Sequence, residues 1–165
     1  MKRLAVALTC TTLLFTLVGC GNQDDEKAAK SLATSLTKGG QFGDKKDEAD
    51  CIGKEMVDSI GIEDLQKSGL LTKDLTVDES ISDIKMAKAD AENAAKSITG
   101  CTDTEALYEE LLTSSAQLKP AVKKCVTDFI TKDVVQKVLA AEFAGDTSAR
   151  ETLLQKPMVE CSKKD

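Results

Sequence analysis

Apolar residues recur through most of the chain at intervals of three and four, which is the spacing of one buried face of an α-helix. This pattern predicts helices over residues 26–38, 48–60, 62–68, 81–99, 103–117, 120–131 and 132–144, and a last helix that opens at Ser148. The strand-like runs 70–72 and 75–77 are too short to build a sheet by themselves. The sequence therefore predicts an all-α protein.

Residues with special backbone preferences mark where these helices should begin and end. We expect helix starts at Pro120, at Thr131 and at three capping boxes, Ser80 with Asp83, Thr102 with Glu105, and Ser148 with Glu151. We expect helix ends at Gly61, Gly69, Gly100 and Gly145, with Gly61 in the left-handed conformation. Pro157 should kink or split the last helix, because its ring removes a backbone donor and clashes with the preceding turn.

Two of these helices have well-defined apolar faces. Residues 81–99 carry a narrow seam that should pack closely on a neighbouring helix, formed by Ile84, Ala87, Ala91, Ala94 and Ile98. Residues 120–131 should bury Val122, Cys125, Val126, Phe129 and Ile130. Phe143 is also expected in the core, and Tyr108 in the core or half-buried.

The N-terminal segment 1–19 has the pattern of a signal peptide. Lys2 and Arg3 make a positive start, residues 4–18 are mostly apolar, and the chain becomes polar directly after Cys20. A helix over residues 4–18 would cover about 22 Å, which is short of the roughly 30 Å core of a bilayer. We therefore predict an exported protein whose leader is removed, and not a spanning helix.

The run Leu17-Val18-Gly19-Cys20 resembles the lipobox of bacterial lipoproteins. The resemblance implies cleavage between Gly19 and Cys20, and acylation of the Cys20 thiol with diacylglyceryl and palmitate-type chains. Each buried CH₂ adds about 0.8 kcal/mol, so two chains would hold the protein on the extracytoplasmic face of the cell membrane. Residues 20–25 would then be a lipid-anchored tether and residues 26–165 the folded domain. Ordinary cleavage that leaves a free Cys20 and an uncleaved signal anchor are the alternatives.

The remaining cysteines indicate two disulfides. Cys10 belongs to the leader, and four cysteines remain beyond Cys20, namely Cys51, Cys101, Cys125 and Cys161. An even number in an exported chain is typical of disulfides, and four cysteines allow three pairings. No two of them form a Cys-x-x-Cys motif and the chain has no histidine, so neither a redox pair nor a zinc site is expected.

A weak internal repeat selects one of the three pairings. Counted from Cys51 and from Cys125, apolar residues coincide at positions +1, +5, +9 and +14. Each half ends in a second cysteine with an apolar residue three positions before it, Ile98 in one half and Met158 in the other. Repeats usually mean one structural unit used twice. We therefore predict two packed helical units, 26–101 and 102–165, each clipped by its own disulfide, Cys51–Cys101 and Cys125–Cys161.

Composition and charge exclude several kinds of chemistry. The chain has a formal net charge of −6, and removing a leader that carries Lys2 and Arg3 makes it two units more negative. An acidic surface repels nucleic acid and anionic lipid headgroups, so no nucleic-acid partner is expected. With no histidine, no Gly-x-Ser-x-Gly elbow and no phosphate loop, the sequence predicts no enzyme, no cofactor and no metal. The acidic run 44–50 lacks the ligand order and glycine of an EF-hand.

The run from Asp50 to Gly61 is similar to a motif in small exported helical proteins of high-GC Gram-positive bacteria. That resemblance implies location and fold and carries no functional residue. We expect a non-catalytic binding or interaction module of the cell envelope, whose partner is a protein or an apolar ligand. The alternative is a carrier of an apolar small molecule or lipid in a pocket between helices, and an enzyme that uses convergent carboxylates is a third possibility.

Overall fold

The computed structural model describes residues 23–39, 42–78, 84–104, 106 and 120–162. Within these ranges the chain forms seven α-helices: α1 (Gln23–Lys38), α2 (Lys46–Ile60), α3 (Ile62–Lys67), α4 (Lys88–Cys101), α5 (Pro120–Phe129), α6 (Lys132–Ala144) and α7 (Thr147–Ser162). The predicted strand-like runs contribute one isolated antiparallel bridge between Leu71 and Val77. The all-α prediction is confirmed.

The helices pack in a spatial order that differs from their order in the chain. α2 lies between α1 and α4, α4 contacts α6, α6 contacts α7, and α7 contacts α5. The contact between α4 and α6 joins the two predicted units, and both predicted disulfides are formed. The fold is therefore two helical units packed together, each clipped by a disulfide.

The pair α1 and α2 packs closely because small residues meet at the contact. A Cβ atom at Gly53 would lie 2.3 Å from the Ala29 carbonyl oxygen and 3.2 Å from the Ala33 backbone nitrogen. Real non-bonded atoms do not approach to 2.3 Å, so only glycine fits at this position. Ala28 and Ala49, which are fully buried, extend the small-residue surface along α1 and α2.

The main core is built largely on α1, α2 and α4. Of the predicted seam, Ala91 and Ala94 of α4 are buried, and Ile98 of α4 and Ile84, which precedes α4, pack partly buried against the same core. Ala87, which also precedes α4, is exposed, so the prediction was wrong for this residue. The core also includes Phe42, which precedes α2 and which the sequence analysis did not single out. Phe143 of α6 is half-buried against this core, so the second unit contributes to the core of the first.

A second, smaller core lies between α5 and α7. Its buried members are Cys125, Val126 and Cys161, and three residues pack partly buried around them, Val122, Phe129 and Ile130. The prediction for the apolar face of 120–131 is confirmed, although three of its five residues are only half-buried. The disulfide occupies the centre of this core, so the α5–α7 pair depends on it more than the main core depends on Cys51–Cys101.

Several predicted helix boundaries are confirmed. α5 begins at Pro120, and α6 begins after Thr131, whose Oγ1 accepts a hydrogen bond from the Val134 backbone N–H at 3.4 Å. α6 ends at Gly145, whose φ of 69° and ψ of 22° are left-handed helical. Gly61 ends α2 with a positive φ of 85°, but its ψ of 152° differs from the left-handed helical conformation that was predicted.

Other boundaries were predicted wrongly. α1 begins at Gln23, so Asp24 and Asp25 belong to its first turn and not to a tether. α4 begins at Lys88 and not near 81. The Met86 N–H donates to the Phe143 carbonyl at 2.8 Å, so it is not available for the internal hydrogen bond that a helix beginning near 81 would need at this residue. α4 also continues through Gly100 to Cys101. The proposed capping box of Ser80 and Asp83 lies outside the described residues.

At two predicted helix starts, an aspartate close to the predicted capping residue accepts a hydrogen bond from a backbone N–H. Asp103 Oδ1 accepts from the Ala106 backbone N–H at 3.2 Å, while the Thr102 hydroxyl donates back to the Ile98 carbonyl. Asp146 Oδ1 accepts from the Ala149 N–H at 2.9 Å and thereby caps α7. α7 runs through position 157 without a break, so it is not split there. Glu105, Tyr108 and most of the predicted helix 103–117 lie outside the described residues.

Candidate functional site

A groove of about 760 Å³ lies where α4, α6 and α7 meet. Its apolar lining consists mainly of short side chains, and its members are Met86, Ala140, Ala141, Ala144, Ala149 and Leu153. Alanines at positions 140, 141 and 144 share one face of α6, because residues three and four apart are neighbours on a helix. The groove is concave because these side chains are too short to fill the space between the three helices.

Charged residues of both signs surround this apolar lining. α4 contributes Lys88, Glu92 and Lys96, which are four residues apart and therefore lie along one side of the helix. α6 contributes Asp133 and Lys137, which form a salt bridge with 2.7 Å between Nζ and Oδ2. A rim with both charges favours a polar or amphipathic partner, and it gives no preference for a strongly anionic or cationic one.

Asp146, which lines the groove, caps the start of α7. The backbone N–H of Ala149 and then the hydroxyl of Ser148 donate to Asp146, and these hydrogen bonds lower the pKa of its carboxyl below the ordinary value. A general acid needs the opposite shift, so Asp146 is suited to hold α7 and not to donate a proton. In the described part of the chain, no three potential metal ligands come together.

The acidic run 44–50 forms part of a charged helical surface. The Lys46 ammonium pairs with Asp50, and the Lys54 ammonium pairs with Asp58 in the next turns of α2. In each pair the hydrogen bond and the charge of the carboxylate raise the pKa of the lysine. These exposed pairs are four residues apart on one helix, which is the usual arrangement of a solvated face.

The four predicted disulfide cysteines form the two predicted pairs. Cys51 of α2 is bonded to Cys101 at the end of α4, with 5.7 Å between the two Cα atoms. Cys125 of α5 is bonded to Cys161 in the last turn of α7, with 5.6 Å between the Cα atoms. In both units a cysteine inside a helix is joined to the last cysteine of the unit. The repeat therefore predicted the connectivity correctly.

The predicted cleavage and lipidation residues, Gly19 and Cys20, lie outside the described residues. Their roles remain predictions that rest on the sequence. Among the helices of the described ranges, none combines the length and the apolar character needed to cross a bilayer.

The alanines of the groove were missed by the sequence analysis. The signal that could have identified them is the run from Leu139 to Gly145, where alanines occupy the positions that larger apolar residues fill on other helices. A sequence does not show whether such a face is covered by a neighbour. The helix arrangement leaves this face of α6 open between α4 and α7.

Comparison of the chain with models of known protein families, with curated proteins and with solved structures found no match. The lipobox resemblance and the similarity of residues 50–61 to exported helical proteins therefore stay predictions.

Proposed function

We propose that this chain is a lipid-anchored, non-catalytic binding module of the bacterial cell envelope. In this proposal Cys20 carries the lipid on the extracytoplasmic face of the membrane, and the groove between α4, α6 and α7 receives a protein partner. The observation that carries the binding role is the groove itself, an open concave surface with an apolar lining and a charged rim.

The compartment is supported by two independent features. The leader 1–19 ends in a lipobox-like run, and the folded part contains two disulfides. Disulfides persist in oxidising surroundings outside the cytoplasm and are rare in cytosolic proteins. The predicted leader and the two disulfides therefore both support a location of the folded part outside the cytoplasm.

The binding role is supported by the size and lining of the groove. Its volume of about 760 Å³ falls within the range of about 300–1,000 Å³ that is typical of pockets for small molecules, so the groove can receive a compact group of a partner. Four alanines in the apolar lining leave room for a side chain of a partner, and the rim places Lys88, Glu92 and Lys96 within reach of its polar groups. Interfaces commonly combine an apolar centre with a polar rim in this way.

The anchor is tested with two cysteine variants. Cys20→Ala removes the predicted acylation site, and Cys10→Ala is the matched control because it changes a thiol of the leader only. We expect the wild type and the control to yield a mature chain that begins with acylated Cys20, by mass spectrometry of membrane extracts. We expect Cys20→Ala to remain an unprocessed, unacylated precursor. Equal processing of all three chains would contradict the anchor.

The groove is tested by filling it. Ala140→Leu with Ala149→Leu places two larger side chains on half-buried positions of the apolar lining, and Ala89→Leu on the exposed side of α4 is the control. We expect cross-linking in the native envelope to join a specific partner to the wild type and the control, with recovery at least about tenfold lower for the filled groove, since 1.4 kcal/mol is a factor of ten. The same partners recovered by all three chains would rule out the groove.

A carrier of an apolar small molecule or lipid is the second candidate, favoured by the apolar lining. Native mass spectrometry of the protein from several hosts distinguishes the two functions. A carrier would retain a ligand that the groove-filling variant loses, whereas a protein-binding module would show its bare mass.

A further inference from the structure

One exposed face of α1 is basic, although the chain as a whole is acidic. Lys27, Lys30 and Lys38 are exposed on α1, and they border a shallow depression of about 300 Å³ beside the turn at 75–77. The other polar side chains that line it are hydroxyls, those of Ser31, Thr34, Ser35 and Thr76, and no carboxylate is among its described lining.

The turn beside this basic face is held in place by α1 itself. The Ser31 hydroxyl accepts a hydrogen bond from the Val77 backbone N–H at 2.9 Å, and Leu75 is buried in the main core. Lys73 and Asp74, both exposed, precede this segment in the turn. The basic face and the turn therefore form one surface of defined shape.

Two lysines of this face, Lys27 and Lys30, differ from many other lysines in the described structure. Lys46, Lys54, Lys67 and Lys137 each form a salt bridge with a carboxylate three or four residues away on their own helix. In the described ranges no salt bridge involves Lys27 or Lys30. The acids of α1 are confined to its first turn, where the positive end of the helix dipole stabilises them.

The predicted anchor precedes this face by only a few residues in the sequence. Cys20 precedes Gln23, the first residue of α1, by three residues, which span at most about 11 Å. Along the helix axis, Lys27 and Lys30 lie only about 6 Å and 10 Å further. These lengths place Lys27 and Lys30 at most about 17 Å and 21 Å from Cys20. Electrostatic attraction in physiological salt extends over about 8 Å, so both ammonium groups come within range of the headgroups when α1 lies along the membrane surface.

We propose that α1 lies along the membrane surface, with the basic face of Lys27, Lys30 and Lys38 against anionic phospholipid headgroups. This inference rests on the proposed anchor at Cys20 and adds an orientation to it. Because α2 separates α1 from α4, contact through α1 leaves the groove between α4, α6 and α7 open to the envelope. The negative net charge of the chain disfavours contact between the rest of its surface and anionic headgroups, which favours the orientation with α1 against the membrane.

The experiment is lysine footprinting of the full lipidated protein in nanodiscs. The acylated chain is inserted into discs of phosphatidylcholine alone or mixed with phosphatidylglycerol, treated briefly with an acetylating reagent, and analysed by peptide mass spectrometry. A basic residue near an anionic surface gains about 1 kcal/mol, which is about fivefold. We expect Lys27 and Lys30 to be acetylated about fivefold more slowly in the anionic discs, and Lys88 and Lys132 equally in both.

A double variant tests whether the lysines act together. In Lys27→Gln with Lys30→Gln, we expect acetylation of Lys38 in anionic discs to rise to its rate in neutral discs. The matched variant Lys88→Gln with Lys132→Gln, which removes two exposed lysines from α4 and α6, should leave Lys38 protected. Molar salt should also abolish the protection, because the screening length falls to about 3 Å.

Equal acetylation of Lys27 and Lys30 in both kinds of disc would overturn the orientation. The intact mass of the disc-bound protein reports acylation of Cys20 separately. A protein that carries the lipid but shows no protection would refute only the orientation, whereas a protein without the lipid would refute the anchor.

Discussion

Single atoms decide how closely the first two helices pack. At Gly53 the missing Cβ allows the α2 backbone to lie against the Ala29 carbonyl, where a methyl group would come within 2.3 Å. Gly100 on α4 has no atom within 4 Å of the corresponding position. The same residue type therefore has opposite effects at the two sites, because one site lies at a helix contact and the other faces solvent.

Gly53→Ala should destabilise the protein by about 2 kcal/mol, since overpacking a well-packed core costs about 1–3 kcal/mol. Gly100→Ala is the matched control, and it should stabilise by up to about 1 kcal/mol because alanine favours the helix more than glycine does. Urea unfolding of the oxidised proteins measures both free energies. A Gly53→Ala protein as stable as the wild type would show that α1 and α2 do not approach this closely.

Asp146 should give α7 a stability that depends on pH. Hydrogen bonds from the Ala149 N–H and the Ser148 hydroxyl lower the pKa of its carboxyl. For a lowered pKa, the stabilisation is present above the unfolded value and is lost as the pH falls through the folded value. The contribution should therefore be complete at neutral pH and disappear in acid, below the ordinary pKa of 3.8.

This dependence is measured with two variants. Asp146→Asn keeps an oxygen to cap α7 and removes the charge, whereas Asp146→Ala removes both. The melting temperature should fall in the order wild type, Asn, Ala at neutral pH. The difference between wild type and Asp146→Asn should shrink as the pH is lowered through the carboxyl pKa. A constant difference across that range would mean that Asp146 does not titrate as inferred.

At the scale of elements, the two disulfides hold together very different amounts of core. Cys51–Cys101 links α2 and α4, which also share many buried apolar residues. Cys125–Cys161 links α5 and α7, whose common core has Val126 as its only buried residue besides the two cysteines in the described ranges. Loss of the second disulfide should therefore have a local effect, and loss of the first a global one.

Replacing each cysteine pair by alanine tests this difference. Chain entropy predicts a loss of about 4 kcal/mol for either bridge, because the closed loops of 50 and 36 residues differ little on a logarithmic scale. Without Cys125–Cys161 we expect hydrogen exchange to become fast in α5 while α2 and α4 stay protected. Without Cys51–Cys101 we expect protection to fall throughout α1, α2 and α4. Identical exchange patterns in the two variants would contradict the separation of the cores.

At the scale of the whole molecule, the units are joined through α6. Phe143 packs against the core of the first unit, and its carbonyl accepts the Met86 N–H that precedes α4. α6 thus packs on α4 of the first unit as well as on α7 of its own, although the repeat boundary lies between Cys101 and Thr102. Stability of the first unit should depend on a residue of the second.

Phe143→Ala should lower the free energy of unfolding of the main core by about 2 kcal/mol, less than the roughly 3–5 kcal/mol of a fully buried phenylalanine, because Phe143 is half-buried. Phe129→Ala, at a half-buried position of the small core, is the control and should increase exchange in α5 alone. Native-state hydrogen exchange of α2 and α4 distinguishes the Phe143→Ala variant from the Phe129→Ala variant. Unchanged exchange there in Phe143→Ala would show that the units are energetically independent.

Local features of the sequence were sufficient for the type of most elements. The spacing of apolar residues predicted the helices, and Thr131 and Gly145 predicted the ends of α6 correctly, because caps act within one helical turn. The matched spacing around Cys51 and Cys125 predicted the disulfide pairing. The start of α4 was predicted wrongly because the Met86 N–H donates to the distant Phe143 carbonyl. The cap at Thr102 was predicted wrongly because the neighbouring Asp103 accepts the hydrogen bond from the Ala106 N–H.

The sequence by itself determined the all-α class and the two disulfides, since these depend on residues close together or on the chemistry of one residue type. It is also the only basis for the prediction of an anchor at Cys20. Only the tertiary structure decided that α4 packs between α2 and α6, that Gly53 lies against Ala29, and that the alanines of α6 line an open groove. These features arise from contacts between residues far apart in the chain. A short side chain looks the same in the sequence whether it permits close packing, as at Gly53, or leaves a concave surface, as at Ala140.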